Sequence, residues 1–298
     1  MKKDTDFIFS CKLVLDFVNI DLIYFLCYDF RIYLLSLPFS GLNPSTQKVT
    51  YRLALILWQE VEGELLVGAD GINSVIRSQL FGASAPRYAG YRAWRGVVKY
   101  EDRRIAPGRG LECWRQGNRC GIIPISQGRI YWFATRNAPD NKLTTNSDGY
   151  KAELLREFQK WLWPVEEIIV GTPDEAILCN NIYDRPPLRE WSKGNVTLLG
   201  DAAHPMTPNF GQGACQASED AVQLATCLKA GQEIAASLKL YERLRVARTT
   251  AIVKQSRLMG WVGQWENPYG CRARNQVFKF TPASLQLKPL EKMIGYQS

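Results

Sequence analysis

Twice in this chain a short, largely apolar run stops at a glycine and meets a carboxylate almost at once, with helix-forming sequence beyond it. Leu65, Leu66 and Val67 run into Gly68 and Asp70, and Val196 to Leu199 run into Gly200 and Asp201. A brief continuous apolar run closed by a turn residue suits a strand buried on both faces of an α/β sheet. Ligands of open α/β sheets bind outside the carboxyl ends of the strands. Asp70 and Asp201 therefore stand where a ligand's polar groups are met, with ordinary loop or turn capping as the alternative for each.

Three zones follow from period and composition. The first, to about residue 89, closes with a helix expected over Asn73 to Leu80. In the second, 90–188, strand-like pieces at Tyr91–Tyr100, Gly110–Trp114, Cys120–Ile125 and Arg129–Thr135 are separated by turn residues at hairpin spacing, which predicts an antiparallel sheet. A helix is expected from Tyr150 to Trp163, its terminal aromatic pair packing in the core. In the third, Ala214, Ala217, Ala221, Leu224 and Leu228 make one apolar helical stripe, and Ile234, Leu238, Tyr241 and Leu244 make a second.

The G-x-G-x-x-G of dinucleotide-binding folds is absent. Gly211 and Gly213 begin it, but Gln216 stands third; the pair nevertheless sits where a helix starts. Unpaired N–H groups and the positive end of the macrodipole there favour an anionic group beside Gly211, Gln212 and Gly213. A tight turn into a helix is the bland alternative.

Eight Cys with one His and no C-x-x-C give no metal architecture, and a reducing, cytoplasmic setting is the default. The net charge of +8 is scattered rather than clustered, so no nucleic-acid partner is expected. Residues 7 to 42 are apolar but interrupted by Asp16, Asp21, Asp29 and Arg31, and the uncharged run from 32 to 47 contains Pro38 and Pro44. A span needs about 20 apolar residues, so no transmembrane helix is expected.

LLVGADGINSVIR at 65–77 and LLGDAAHPMTPNFGQGACQASEDA at 198–221 together resemble the FAD-dependent aromatic hydroxylases related to 4-hydroxybenzoate hydroxylase. Within that family, AGYRAWRGVV at 89–98 is most similar to the urate hydroxylase and zeaxanthin epoxidase-like branch. The resemblance implies an α/β, overall α+β, chain. An FAD-binding domain made of 46–89 and 189–260, without the N-terminal glycine-rich segment, would carry an inserted antiparallel substrate domain at 90–188, between an atypical 1–45 and a C-terminal extension at 261–298. It implies a monooxygenase that uses FAD, NAD(P)H and O2 to hydroxylate or epoxidise a small organic substrate; the alternative is a degenerate member that binds little FAD.

By position, Gly200 and Asp201 would hold the ribityl chain, Pro205 to Pro208 would line the isoalloxazine ring, and Gly211, Gln212, Gly213 and Ala214 would face its pyrimidine edge. Asp70 and Gly71 would lie by the pyrophosphate and the NAD(P)H path. Arg77 would offer charge to phosphate, its alternative being a solvated helix residue. His204 would shape the loop by hydrogen bonding rather than transfer protons. Arg95 would point to the substrate pocket and clamp a polar heterocycle, its alternative being a sheet-surface residue.

Overall fold

The computed structural model describes residues 49–51, 61–103, 105, 110–141, 149–161, 163–230, 233–282, 284–285 and 295. The apolar stretch at 7 to 42 lies outside the described residues; among those described, no helix is long and apolar enough to cross a membrane. The chain forms two compact units, one drawn from residues up to Arg87 with Asp184–Ser256, the other from Tyr88–Tyr183 with Arg257–Ser298.

The first unit is α/β. β1 (Val49–Tyr51) and β2 (Val61–Gly63) form a small antiparallel pair. β3 (Leu66–Gly68) runs parallel to β9 (Val196–Leu198), with Leu66 opposite Val196, and all six residues are buried, the Thr197 hydroxyl accepting from Ser192 Oγ at 2.8 Å. α1 (Val75–Phe81) begins where the Ser74 hydroxyl accepts the Arg77 N–H at 2.9 Å. α4 (Gly213–Lys229) and α5 (Ile234–Gly263) pack Leu224, Leu238 and Tyr241 against Val67, Ile76, Trp191 and Leu198.

α5 runs 30 residues, well past Leu244 where its apolar stripe fades. Leu244, expected on the stripe, is exposed, and the buried face continues with Arg245, Thr249, Ile252, Val253 and Ser256, whose polar groups are satisfied: Thr249 Oγ1, for example, donates to the Arg245 carbonyl at 3.0 Å. Hydropathy alone does not see the polar part of such a face. Glu242, on the same helix, accepts the Trp191 and Ser192 N–H groups at 2.6 and 2.5 Å and so pins the chain entering β9.

The second unit holds a five-stranded sheet in the order β5-β6-β7-β4-β8, made from β4 (Arg87–Lys99), β5 (Leu111–Trp114), β6 (Asn118–Ile125), β7 (Arg129–Asn137) and β8 (Leu178–Asp184). β4 with β7, β5 with β6 and β6 with β7 are antiparallel. Trp94, Ile122, Trp132 and Ala134 point from one face into a core with Leu154 and Phe158 of α2 (Gly149–Phe158) and Ile168 of α3 (Val165–Gly171). α2 stops at Phe158 rather than at Trp163, because Lys160 takes a positive φ of 58° and Pro164 follows. Trp161 still turns inward and lies 4.8 Å from the Phe158 ring. The apolar pattern did not announce α3, β8 or α6 (Pro268–Phe280); the last is capped by Asn267, which accepts from Tyr269 and Gly270 N–H groups.

On the opposite sheet face Phe133 lies over Gly121, where a Cβ would collide with the ring. Gly121→Val is therefore expected to cost about 1–3 kcal/mol by overpacking. Urea unfolding should show a lower midpoint at unchanged slope. An unchanged midpoint would mean that Phe133 swings aside freely.

Candidate functional site

The segment 200–214 leaves β9 through a turn that only glycine suits. Gly200 has a φ of +60°, and a Cβ there would also lie 3.1 Å from the Ala217 Cβ on α4. The Ala203 and His204 N–H groups both donate to the Gly200 carbonyl at 2.9 Å, closing a 3₁₀ turn over Gly200–Ala202.

The turn is gripped from outside. Arg77 is neither a solvated helix residue nor free for a partner: it is buried, and its Nη1 donates to the Ala202 and Ala203 carbonyls at 3.0 and 2.9 Å while Nη2 reaches the Pro186 carbonyl at 3.3 Å. The last residue of the first motif thereby fastens it to the second. Farther along, Ser256 Oγ donates to the Thr207 carbonyl at 2.6 Å, and Asn209 Nδ2 bridges Thr207 Oγ1 and the Ser256 carbonyl at 2.9 Å each. Pro205 is buried, its carbonyl accepting the Arg185 N–H at 3.4 Å, and Pro208 is exposed.

Held in this way, the turn carries one carboxylate. Asp201 is exposed and makes no hydrogen bond with the described residues. Its tip meets solvent, but the surrounding wall of protein is dense; this burial pushes its carboxyl up from the ordinary value, and His204 draws it partly back.

Asp70 has a different occupation. Its Oδ2 accepts the Val75 and Ile76 N–H groups at 2.7 and 3.3 Å, capping α1, while its buried Oδ1 has no partner. Gly71 supplies the positive φ, +75°, that the Asp-Gly turn needs. Parallel pairing brings the two motifs side by side, with the Leu199 N–H donating to the Gly68 carbonyl at 2.9 Å.

α4 starts without a side-chain cap at Gln212, so its first N–H groups remain open. Gly211, at φ +63°, has no atom within 4 Å of where a Cβ would lie. Gln212 and Gly213 are half-buried and Ala214 is exposed.

Two buried guanidiniums give this region a positive field. Arg77, already described, has a neighbour in Arg185, whose Nε donates to the Ile72 carbonyl at 2.7 Å and whose Nη1 donates to the Ser84 carbonyl and hydroxyl at 2.5 and 3.0 Å. Neither has a carboxylate partner among the described residues. Burial, and then the Arg185 charge, brings Arg77 down to about 10, and burial lowers Arg185 as well. Both remain cations at neutral pH, and among the described residues carbonyls and the Ser84 hydroxyl offset them.

Arg95 belongs to the second unit. It lies on the sheet face opposite the helices, since its neighbours Trp94 and Gly96 face the helix-covered core side with Trp132. Its Nη2 donates to Asn180 Oδ1 at 2.8 Å, while its buried Nε has no partner. Phe133 stands opposite it in register, with Val97 and Ile123 exposed on the same face.

Sequence reasoning missed Arg185, Asp220 and Arg245. Asp220 carried a signal: with Ala217, Ala221 and Leu224 it falls on the apolar face of α4, where a carboxylate is out of place unless paired.

The family model described as an FAD binding domain matches residues 48–256. Aurachin C monooxygenase/isomerase of Stigmatella aurantiaca is 43% identical over 241 residues, covering 78% of this chain and 62% of that protein. Zeaxanthin epoxidase of an Oncidium hybrid cultivar is 36% identical over 73% of this chain and 35% of its own length. Among solved structures, Klebsiella pneumoniae HpxO complexed with FAD and uric acid superposes with a TM-score of 0.76 at 31% identity, covering 84% of this chain and 64% of that one. The chain thus spans between about a third and two thirds of the length of these relatives.

Proposed function

This chain belongs to the FAD-binding domain family of flavoprotein monooxygenases, and from that premise we propose that it binds FAD at 200–214. We further propose that it serves the NAD(P)H- and O2-dependent hydroxylation or epoxidation of a small organic molecule. The observation that carries the reading is the clamped turn with its one carboxylate, Asp201, which makes no hydrogen bond with the described residues.

The residues present fit the cofactor. A free carboxylate accepts hydrogen bonds from the hydroxyls of a polyol chain, and Asp201 is such a group. The uncapped start of α4 and the open space at Gly211 suit the electron-rich edge of a flavin ring. Arg77 spends both Nη groups on carbonyls, and Arg185 spends Nε and Nη1 on Ile72 and Ser84, but their charges favour an anion nearby through the field. Bound FAD would supply the redox chemistry, drawing reducing equivalents from NAD(P)H and delivering them to O2.

For the substrate side we assign the open face of the β4–β7 sheet, with Arg95 as its polar anchor and Phe133, Val97 and Ile123 as apolar lining. A flat, largely apolar ring carrying one polar or anionic edge fits that composition, because a guanidinium with an unspent Nε orients such an edge.

The test is substrate-stimulated NAD(P)H oxidation by the FAD-supplemented chain, across urate-like heterocycles, phenolic acids and terpenoid alkenes. Arg95→Met should leave flavin content unchanged and raise KM about tenfold, the effect of one charged hydrogen bond. kcat should hold if only binding is lost. Equal constants in parent and variant would return Arg95 to the sheet surface.

A further inference from the structure

Asp220 stands at the centre of a buried polar cluster in the first unit. It is fully buried on α4, and its two oxygens serve three donors. Oδ2 accepts the Gly200 N–H at 3.1 Å and lies 2.5 Å from His204 Nε2; Oδ1 accepts Arg245 Nε at 2.7 Å. Arg245 is fixed in turn, with Nη1 on Glu219 at 2.6 Å and Nη2 on the Gln216 carbonyl and side-chain oxygen at 3.2 and 2.8 Å. Burial disfavours the Arg245 cation, but Asp220 and Glu219 outweigh it and raise its pKa. Glu219 also binds Arg248 at 3.0 Å.

A buried carboxylate is costly unless it is paired and hydrogen-bonded, and Asp220 spends Oδ1 on Arg245 and Oδ2 on the two ends of a single turn. Gly200 precedes Asp201 and His204 follows it by three residues, and both are held by the same oxygen. The His204 ring also stacks against Trp191, with centroids 5.2 Å apart. Its buried Nδ1 has no partner, so the ring's orientation rests on Asp220 and Trp191.

We propose that Asp220, locked by Arg245, is a positioning residue for Asp201: by stapling Gly200 and His204 it holds the carboxylate in the orientation that meets the cofactor's polyol chain. This rests on the reading of Asp201 given above, so the test includes arms that need no flavin. His204 is the only histidine of the chain, and its tautomer is therefore readable by long-range proton–nitrogen NMR without ambiguity. Facing a carboxylate, Nε2 must carry a proton. Asp220→Asn keeps an acceptor for Arg245 but turns an amide donor toward His204 and Gly200, so Nε2 becomes the acceptor and the proton moves to Nδ1.

The parent should show protonated Nε2 and the variant protonated Nδ1. Hydrogen exchange at 199–206 should accelerate by about tenfold or more in the variant, the equivalent of one charged hydrogen bond, while β3 and α5 keep their rates. FAD affinity should fall by a similar factor. An unchanged tautomer, or exchange that rises equally throughout the unit, overturns the proposal. Should Asp220→Asn not fold, His204→Ala leaves the Arg245 pair and the Gly200 bond in place, and unaltered loop exchange there overturns it equally. If the tautomer and exchange behave as expected but the parent binds no FAD, the flavin reading falls while the positioning of the turn stands.

Discussion

Arg77→Met is expected to destabilise the chain by about 2–4 kcal/mol, because it leaves buried carbonyls of the 202–203 turn without their donor. The charge itself is not the source of the stability. Burial and Arg185 already lower Arg77 to about 10, so the cation is electrostatically uncomfortable and its geometry holds it in place. Arg77→Lys separates the two contributions: an ammonium keeps the positive field but cannot fork across three carbonyls. Lysine should recover FAD affinity more fully than stability, whereas methionine should lose both. Urea unfolding with an unchanged slope reads the stability arm. A methionine variant as stable as the parent would show that the turn does not depend on this clamp.

Asp201→Asn is expected to move two properties in opposite directions. Loss of a charged acceptor for the polyol hydroxyls should weaken FAD by about 1.5–3 kcal/mol, roughly tenfold to a hundredfold in Kd. Stability of the flavin-free chain should hold or rise slightly at neutral pH. Burial raises the folded-state carboxyl above its unfolded value, so the folded chain binds that proton more tightly. Stability is greatest below the ordinary carboxylate range and is lost as pH rises through the raised value. Asparagine removes that loss, although solvent at the exposed tip keeps the gain under about 1 kcal/mol. A loop-capping carboxylate would behave in the opposite way, with stability falling and FAD affinity unchanged.

Much of this arrangement was legible because local rules and tertiary structure agree. The runs ending at Gly68 and Gly200 had to be buried strands, and the turn residues between Tyr91 and Thr135 marked an antiparallel sheet, though not that β4 would pair with β7 rather than with β5. The Gly211–Gly213 pair marked a helix start. Where the two levels diverge, sequence was silent. Arg77 sits on a seven-residue helix whose sequence does not reveal that its outward-seeming side chain is buried against carbonyls 125 and 126 positions away. Arg185 follows a strand with no periodic signal, and its partners, Ile72 and Ser84, are set by topology. α5 outran its expected apolar stripe because Arg245, Thr249 and Ser256 are buried with their polar groups partnered, an arrangement visible only in three dimensions.

The most direct measurement is hydrogen exchange of the whole chain with and without FAD, alongside a fluorescence titration that establishes saturation. FAD should slow exchange across 199–214 and at 70–77, because the cofactor covers the turn bearing Asp201 and the uncapped start of α4. Strands β5 and β6 should be unaffected. Saturable binding that leaves 199–214 unprotected, or no saturable binding at all, would contradict the account.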